Sequence, residues 1–301
     1  YPDMESAVDA DLRQLKMFLK VFESYDKSLV TADIQKEIAE RLHEELDYVR
    51  EKKHVNLYGM MLKDEAGVHV PRVIDNCSTD RLLTTTWLEG QPILGFKKAP
   101  QNQRNTIAHN MFRAWYVPLY YYGVIHGDPH LGNYTVCNDM SINLLDFGCV
   151  RVFPAHFVEG VIKLYRALQE DDDDLAVEAY KNWGFEHLNK KMLDVLNTWA
   201  RFLYGPVLDD KVRTIGAVPD KGVYGRDTAL KVHRELKAAG GIKVPREFVF
   251  MDRAALGLGS VFLHLDSKIN WHRLFNELIE GFDVQELARR QKRALKNVGL
   301  T

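Results

Sequence analysis

Asp128, Asn133 five residues later and Asp146 a further 13 residues on have the types and spacing for metal-assisted chemistry. They lie in residues 124–151, which read VIHGDPHLGNYTVCNDMSINLLDFGCVR. A carboxylate and an amide offer hard oxygen ligands to a cation such as Mg2+, and a second carboxylate can orient or deprotonate an incoming hydroxyl or water. Phosphoryl transfer needs that set, because it depends on positioning and charge neutralisation more than on covalent help. In this reading Asp128 serves the acceptor, while Asn133 and Asp146 hold metal against the phosphates of a nucleotide.

The intervening sequence must bring these residues together. Residues 134–136 and 142–145 are β-prone runs around Asn138-Asp139, a turn signal, so a hairpin is predicted there. Such a hairpin would fold Asn133 and Asp146 onto one metal site. Gly148 supplies a permissive backbone just past the metal ligand. A lone Asp-Phe-Gly or His-Gly-Asp carries little information, but their combination with the +5 asparagine and the hairpin does. Two other readings compete: carboxylates that merely serve turns, and His126, Asp128 and His130 as alternating zinc ligands of a hydrolase. The zinc reading leaves Asn133 and Asp146-Phe147-Gly148 unexplained.

The wording His-Gly-Asp-Pro-His-x-Gly-Asn followed by Leu-Leu-Asp-Phe-Gly resembles the UbiB/AarF family of atypical protein-kinase-like proteins. A related wording occurs in aminoglycoside-type phosphotransferases. The segment Glu44-Glu45-Leu46-Asp47-Tyr48-Val49-Arg50-Glu51 favours the first, since it looks like that family's Glu-x-Asp pair, here Glu45 and Asp47, with the adjacent helix glutamate, here Glu51. The resemblance implies an α+β, protein-kinase-like fold, mainly α. An incomplete N-terminal lobe would occupy residues 1–90 and a helical C-terminal lobe with the catalytic loop residues 91–301. It implies ATP and Mg2+ as ligands, with Glu45 and Asp47 near the nucleotide and Glu51 paired to a nucleotide-binding lysine. Thr86, Trp87 and Leu88 would contact adenine through their backbone, although a surface hairpin explains that segment equally well.

The implied activity is that of an ATPase or small-molecule kinase supporting isoprenoid-quinone (ubiquinone) biosynthesis, with a small-molecule or lipid-like acceptor. The rivals are an aminoglycoside-type phosphotransferase and a non-catalytic nucleotide-sensing scaffold. One departure matters. The family's lysine strand, Lys-x-Gly-Gln segment and alanine-rich loop are missing, and no G-x-G-x-x-G or Walker-type loop replaces them. The chain is therefore expected to be a trimmed portion of a longer protein that binds ATP weakly in this form. Lys16 and Lys20 lie in a helical pattern and are expected to face solvent.

Around these residues the pattern is mostly helical. Ile34, Ile38, Leu42, Leu46 and Val49 recur at helical spacing, which predicts a helix from Thr31 that puts Asp47 and Glu51 on one face. Residues 68–74 and 81–88 read as strands and 101–123 as a helix that Pro118 could bend. Past Pro154, helices are expected over residues 158–168, 193–203, 248–263 and 271–279, with a loop at 216–225. Asp171 to Asp174 fit an acidic entry to the helix at Leu175 better than a metal site. Trp87 could pack in the core under either reading of its segment.

With 46% hydrophobic residues the chain can bury a sizeable core, and 40 basic against 42 acidic residues leave no global footprint for nucleic acid. Three scattered cysteines argue against a disulfide framework, and Cys149 reads as a small buried filler beside the motif. No run of about 18 apolar residues appears, and residues 248–265 are expected to be a buried helix. A cytoplasmic setting is the default expectation. Family resemblance adds membrane association, for which the basic tail at 286–293 is one peripheral contact and a solvated helix end the simpler reading.

Overall fold

The structure, a computed structural model, describes residues 4–25, 39, 42–44, 46–215, 226–238 and 244–300. Ten helices with described bounds accompany a four-stranded sheet and a separate two-stranded one.

Helix α1 (Met4–Tyr25) is followed by α2 (Tyr48–Met61), whose N-cap Asp47 accepts from the Arg50 amide at 2.9 Å. That cap corrects the helix predicted through residues 31–51. An aspartate accepting its own +3 amide satisfies a first-turn donor in a non-helical conformation, so the chain leaves helix at Asp47 and restarts. Residues 26–38, 40, 41 and 45 lie outside the described residues. Lys16 is exposed, and the side chain of Lys20 is outside the description.

Strand β1 (Val68–His69) joins a four-stranded sheet in the order β1-β5-β4-β2, with β2 at Gln91–Pro92, β4 at Tyr134–Val136 and β5 at Ile142–Leu144. The expected strand over 68–74 is reduced to those two residues, and that over 81–88 to one bridge, Val73 to Thr85. The two segments still run antiparallel, tied by Ile74 N to Thr84 O and Thr86 N to Arg72 O, both 2.8 Å. Ser78 and Thr84 divert the intervening backbone into side-chain bonds instead of a ladder. Trp87 does not take the core position open to it: it is 82% exposed and its indole donates to Glu89.

Helix α3 (Gln101–Tyr122) buries Ile107, Met111, Trp115 and Leu119, the predicted stripe, and passes through Pro118 without ending. It stops at Gly123, whose φ of 65° closes the helix by a bond to Leu119 O and turns the chain into β3 (Val124–His126). Strand β3 pairs antiparallel with β6 (Val150–Val152).

The rest is helical: α4 (Ala155–Glu170), α5 (Asp173–Asn182), α6 (Lys190–Leu208), α7 (Arg226–Ala238), α8 (Arg246–Leu265), α9 (Trp271–Ile279) and α10 (Val284–Asn297). Asp172 caps α5 by accepting from Leu175 N, and the Asp171–Asp174 run is a helix entry as its charge pattern suggests. Aromatic packing dominates this lobe. Trp271 is fully buried, with its ring 4.6 Å from Phe262 and 5.9 Å from Phe112 between centroids. Helix α8 is long and apolar enough to cross a membrane by length and composition, yet only part of it is buried, less than the buried helix expected from its residues. The loop expected at 216–225 lies outside the described residues.

Candidate functional site

Two short pairings build the site. In the β4–β5 hairpin Tyr134 opposes Leu144, and Leu145 N donates to Asn133 O at 3.0 Å, which sets Asn133 beside the residue preceding Asp146. In the β3–β6 pair His126 opposes Val150, and Gly127 N donates to Cys149 O at 2.5 Å, so the start of the 127–133 loop lies against the end of Asp146-Phe147-Gly148. A Cβ at Gly127 would stand 2.7 Å from Cys149 Sγ, which leaves room for glycine alone. Cys149 is half-buried against that glycine.

Asn133 Nδ2 donates to Asp128 Oδ2 at 3.0 Å, and Tyr134 OH donates to Asp128 O at 3.2 Å. Gly148 N donates to Asp146 Oδ1 at 3.0 Å. His126 joins the two aspartates from behind. The amide of Asp128 donates to Nδ1 at 3.1 Å, so Nδ1 carries no proton and Nε2–H donates to Asp146 O at 2.7 Å. Both ring nitrogens are thereby used, which removes His126 from the zinc reading. Burial pushes the imidazole below its ordinary range, while the Asp146 carbonyl and the charges of Asp146 and Asp128 oppose that shift.

Helix α2 grips the same motif from the other side. Glu51 Oε1 accepts from Phe147 N at 3.3 Å, His54 Nδ1 donates to Phe147 O at 3.0 Å, and the Tyr58 ring lies 5.3 Å from the Phe147 ring. These spacings of three and four residues place all three side chains on one helix face. Burial raises the Glu51 carboxyl; the Phe147 amide works against this and the Asp146 charge adds to it. Burial lowers His54 to about 4. Neither histidine was singled out as a bridge on residue patterns; His54 carried the available signal, standing one turn after Glu51.

Asp128, Asn133, Asp146 and Glu51 are thus gathered around one motif. The other expected residues lie apart from it. Asp47 is exposed at the α2 cap, while its neighbour Glu44 pairs with Arg50 at 3.0 Å and Arg151 at 2.6 Å. Glu45 lies outside the described residues. Thr86, Trp87 and Leu88 line an open cleft of about 780 Å3 with Asn56, Gly59 and Lys63, and Thr86 Oγ1 accepts from Arg72 N at 2.9 Å. Asp128, Asn133 and Asp146 are not among that cleft's described lining residues.

The donor set suits a hard cation. Asp146 and Asn133 offer oxygen, the choice Mg2+ favours over nitrogen or sulfur. With Nδ2 committed to Asp128, the Asn133 amide has its oxygen left for a cation. Among the described residues no cluster of three or more His, Cys, Asp or Glu forms a separate metal site.

A family model described as the ABC1 atypical kinase-like domain matches residues 1–180. The protein named atypical kinase COQ8, mitochondrial, of Saccharomyces cerevisiae is 30% identical over 159 residues, 52% of this chain and 32% of that protein. Its namesake in Schizosaccharomyces pombe is 25% identical over 289 residues, 94% of this chain and 46% of that one. The chain therefore spans from about a third to under half of these relatives. A Mycobacterium tuberculosis protein, Rv3197, solved in complex with erythromycin, matches with a TM-score of 0.69 at 22% identity, covering 94% of this chain and 70% of that one, a likeness of fold.

Proposed function

This chain belongs to the ABC1 atypical kinase-like (UbiB/AarF) family, and from that premise we propose that the protein binds Mg-ATP at Asp128, Asn133 and Asp146 and uses it as an ATPase or small-molecule kinase. The observation that carries this reading is the His126 bridge, which ties the Asp128 amide to the Asp146 carbonyl and so fixes the acceptor-facing and metal-facing carboxylates in one frame.

Asp128 takes the proton of the incoming hydroxyl or water. Asn133 Nδ2 holds its Oδ2, leaving Oδ1 for that proton. Asn133 and Asp146 would hold the metal, which supplies charge neutralisation of the transferring phosphoryl group. Glu51 uses one oxygen on Phe147 N, and its second is assigned to the lysine that aligns the phosphates. Glu45 and Asp47 are assigned to the nucleotide side, and Thr86, Trp87 and Leu88 to adenine. Residues 1–90 would form the small-lobe portion and 91–301 the helical lobe. Family membership supports a lipid-like or small-molecule acceptor, a role in ubiquinone biosynthesis and a peripheral membrane association. It sets aside the aminoglycoside-type reading.

The test compares two variants of the full-length gene product. Asp146→Asn is expected to abolish Mg2+-dependent nucleotide binding, measured by calorimetry. Asp128→Asn is expected to keep binding while phosphate release falls by about 10^2 to 10^4-fold. Equal loss of binding in both would overturn the roles, and unchanged phosphate release in both would leave a nucleotide-sensing scaffold.

A further inference from the structure

The two halves of the assigned nucleotide site need a tie. The side chains of Thr86, Trp87 and Leu88 line a cleft whose described lining omits Asp128, Asn133 and Asp146, so a nucleotide using both parts depends on what joins the segment at 86–90 to the β4–β5 hairpin. Backbone pairing does little of this. Strand β2 meets β4 over two residues, Gln91 opposite Val136 and Pro92 opposite Thr135, and proline has no N–H to give.

Asn143 supplies the connection. It lies on β5, three residues before Asp146, and opposes Thr135, two residues after Asn133 on β4. Only 1% of it is exposed. Its Nδ2 donates to Thr135 Oγ1 at 2.9 Å and, beyond that strand, to Glu89 O at 3.0 Å. A carbonyl only accepts, so the amide nitrogen must face Glu89, and both of its protons are used. The Cys137 thiol lies between Asn143 Oδ1 and Glu89 O, at 3.3 and 3.4 Å, and donates within the same cluster. Glu89 is held at its other end as well, since its Oε1 accepts from Trp87 Nε1 at 2.8 Å. A Cβ at Gly90 would stand 2.8 Å from Asn143 Nδ2 and closer still to Thr135 Oγ1, so the segment settles on this pair only because residue 90 has no side chain.

An amide is not needed here to fill space. Its strand neighbours Ile142 and Leu144 are buried and apolar, and a third apolar residue would pack without the penalty a buried polar group incurs when it loses a partner. What the amide adds is direction. Its two donors diverge from one planar group, one to the strand that follows Asn133 and one to the segment at 86–90, and a fully satisfied buried cluster of this kind specifies a single arrangement.

We propose that Asn143 is a positioning residue for the nucleotide: it sets the spacing between the backbone at 86–90 and the metal-bearing Asn133 and Asp146, and so gives the site its preference for a nucleoside triphosphate over a bare phosphate chain. The inference rests on the Mg-ATP reading of the site.

The test compares Mg-ATP with Mg-tripolyphosphate, which carries the phosphate chain without the nucleoside, by calorimetric titration into the full-length gene product. Asn143→Asp keeps the size of the side chain and an acceptor for Cys137, but faces the Glu89 carbonyl with a second acceptor. It is expected to weaken Mg-ATP by about tenfold or more while Mg-tripolyphosphate stays within about threefold. Gly90→Ala leaves Asn143 in place and lifts the segment off it. The same split is expected, and this variant decides alone should Asn143→Asp not fold. Equal weakening of the two ligands, which a merely structural role would give, overturns the proposal, as does full Mg-ATP affinity in either folded variant. Wild-type protein that binds both ligands with equal affinity overturns this inference alone, whereas wild type that binds neither overturns the Mg-ATP reading and the inference with it.

Discussion

The junction at residues 124–151 and the helical lobe after Pro154 are held together by different means. In the junction, strands of three residues bury Val124, Tyr134, Ile142 and Phe147 in the common core, and direction is set by single hydrogen bonds that join side chains to backbone: His126, Glu51 and His54 on the Asp146-Phe147-Gly148 segment. In the lobe, order comes from rings against rings, as in Trp271 with Phe112 and Phe262. The difference teaches where chemistry and stability can be separated. Hydrogen bonds fix direction at small net energy, whereas aromatic burial supplies energy with looser direction.

The largest effect that would sharpen this contrast is Trp271→Ala. Its ring is fully buried and its indole donates to Arg213 O at 3.0 Å, so truncation is expected to cost about 3 to 5 kcal/mol in urea denaturation. Nucleotide affinity of the folded fraction should stay unchanged. A matching loss of affinity would show that the lobe tunes the junction directly.

Next comes pH. His54 is lowered from 6.5 to about 4 by burial, so it is neutral in both folded and unfolded chains above pH 6.5 and its full contribution is present there. As pH falls from 6.5 toward 4, the unfolded chain takes up a proton that the folded chain refuses. Up to about 3 kcal/mol should be lost across that window. Urea melts of the wild type and His54→Gln through this range measure it, since the variant lacks this part of the slope. Parallel slopes would mean that burial does not govern His54.

Gly257 tests the border between the regions. A Cβ there would stand 1.9 Å from Pro129 Cγ, so α8 reaches the 127–133 loop by virtue of that glycine. Gly257→Ala is expected to cost about 1 to 3 kcal/mol and to lower turnover by moving the loop. Stability that falls while turnover per folded molecule holds would mean the loop keeps its geometry without α8.

The smallest effect is Asp252→Asn: this half-buried carboxylate on α8 accepts from Trp199 Nε1 through both oxygens and is pushed up to about 6 by burial, so its replacement is expected to stabilise the protein by about 1 kcal/mol at neutral pH. That gain should shrink as pH falls from 6 toward 3.8, because the folded wild type takes up its proton there before the unfolded chain does. A variant less stable at every pH would show that the Trp199 bond outweighs the desolvation.

Much of the junction was legible in the residues. The β4–β5 hairpin stands where Tyr134–Val136 and Ile142–Leu144 flank their turn, and Asp128, Asn133 and Asp146 stand out by their chemistry and spacing taken together. The helices of the lobe followed from their stripes, Trp271–Ile279 to the residue. What was not legible depends on one side chain choosing the backbone over a ladder or a helical turn. Asp47 caps α2 where the apolar stripe runs on, and Ser78 and Thr84 dissolve strands that composition favours. The roles of His126 and His54 were hidden for another reason: each bonds to residues 20 or 93 positions away, which periodicity does not reach.

The hold of α2 on Phe147 through Glu51, His54 and Tyr58 has a consequence for how the gene can change. The three contacts share one helix face spread over two turns, and each added residue rotates the helix by about 100°. Exchanging outward letters of α2 leaves that face in register. Inserting or deleting a single codon between Glu51 and Tyr58 turns part of it away and parts the carboxylate and imidazole from Phe147 on one side or the ring on the other. A change of length along this stretch is therefore costlier than a substitution on the outward face of α2, which leaves Glu51, His54 and Tyr58 against Phe147.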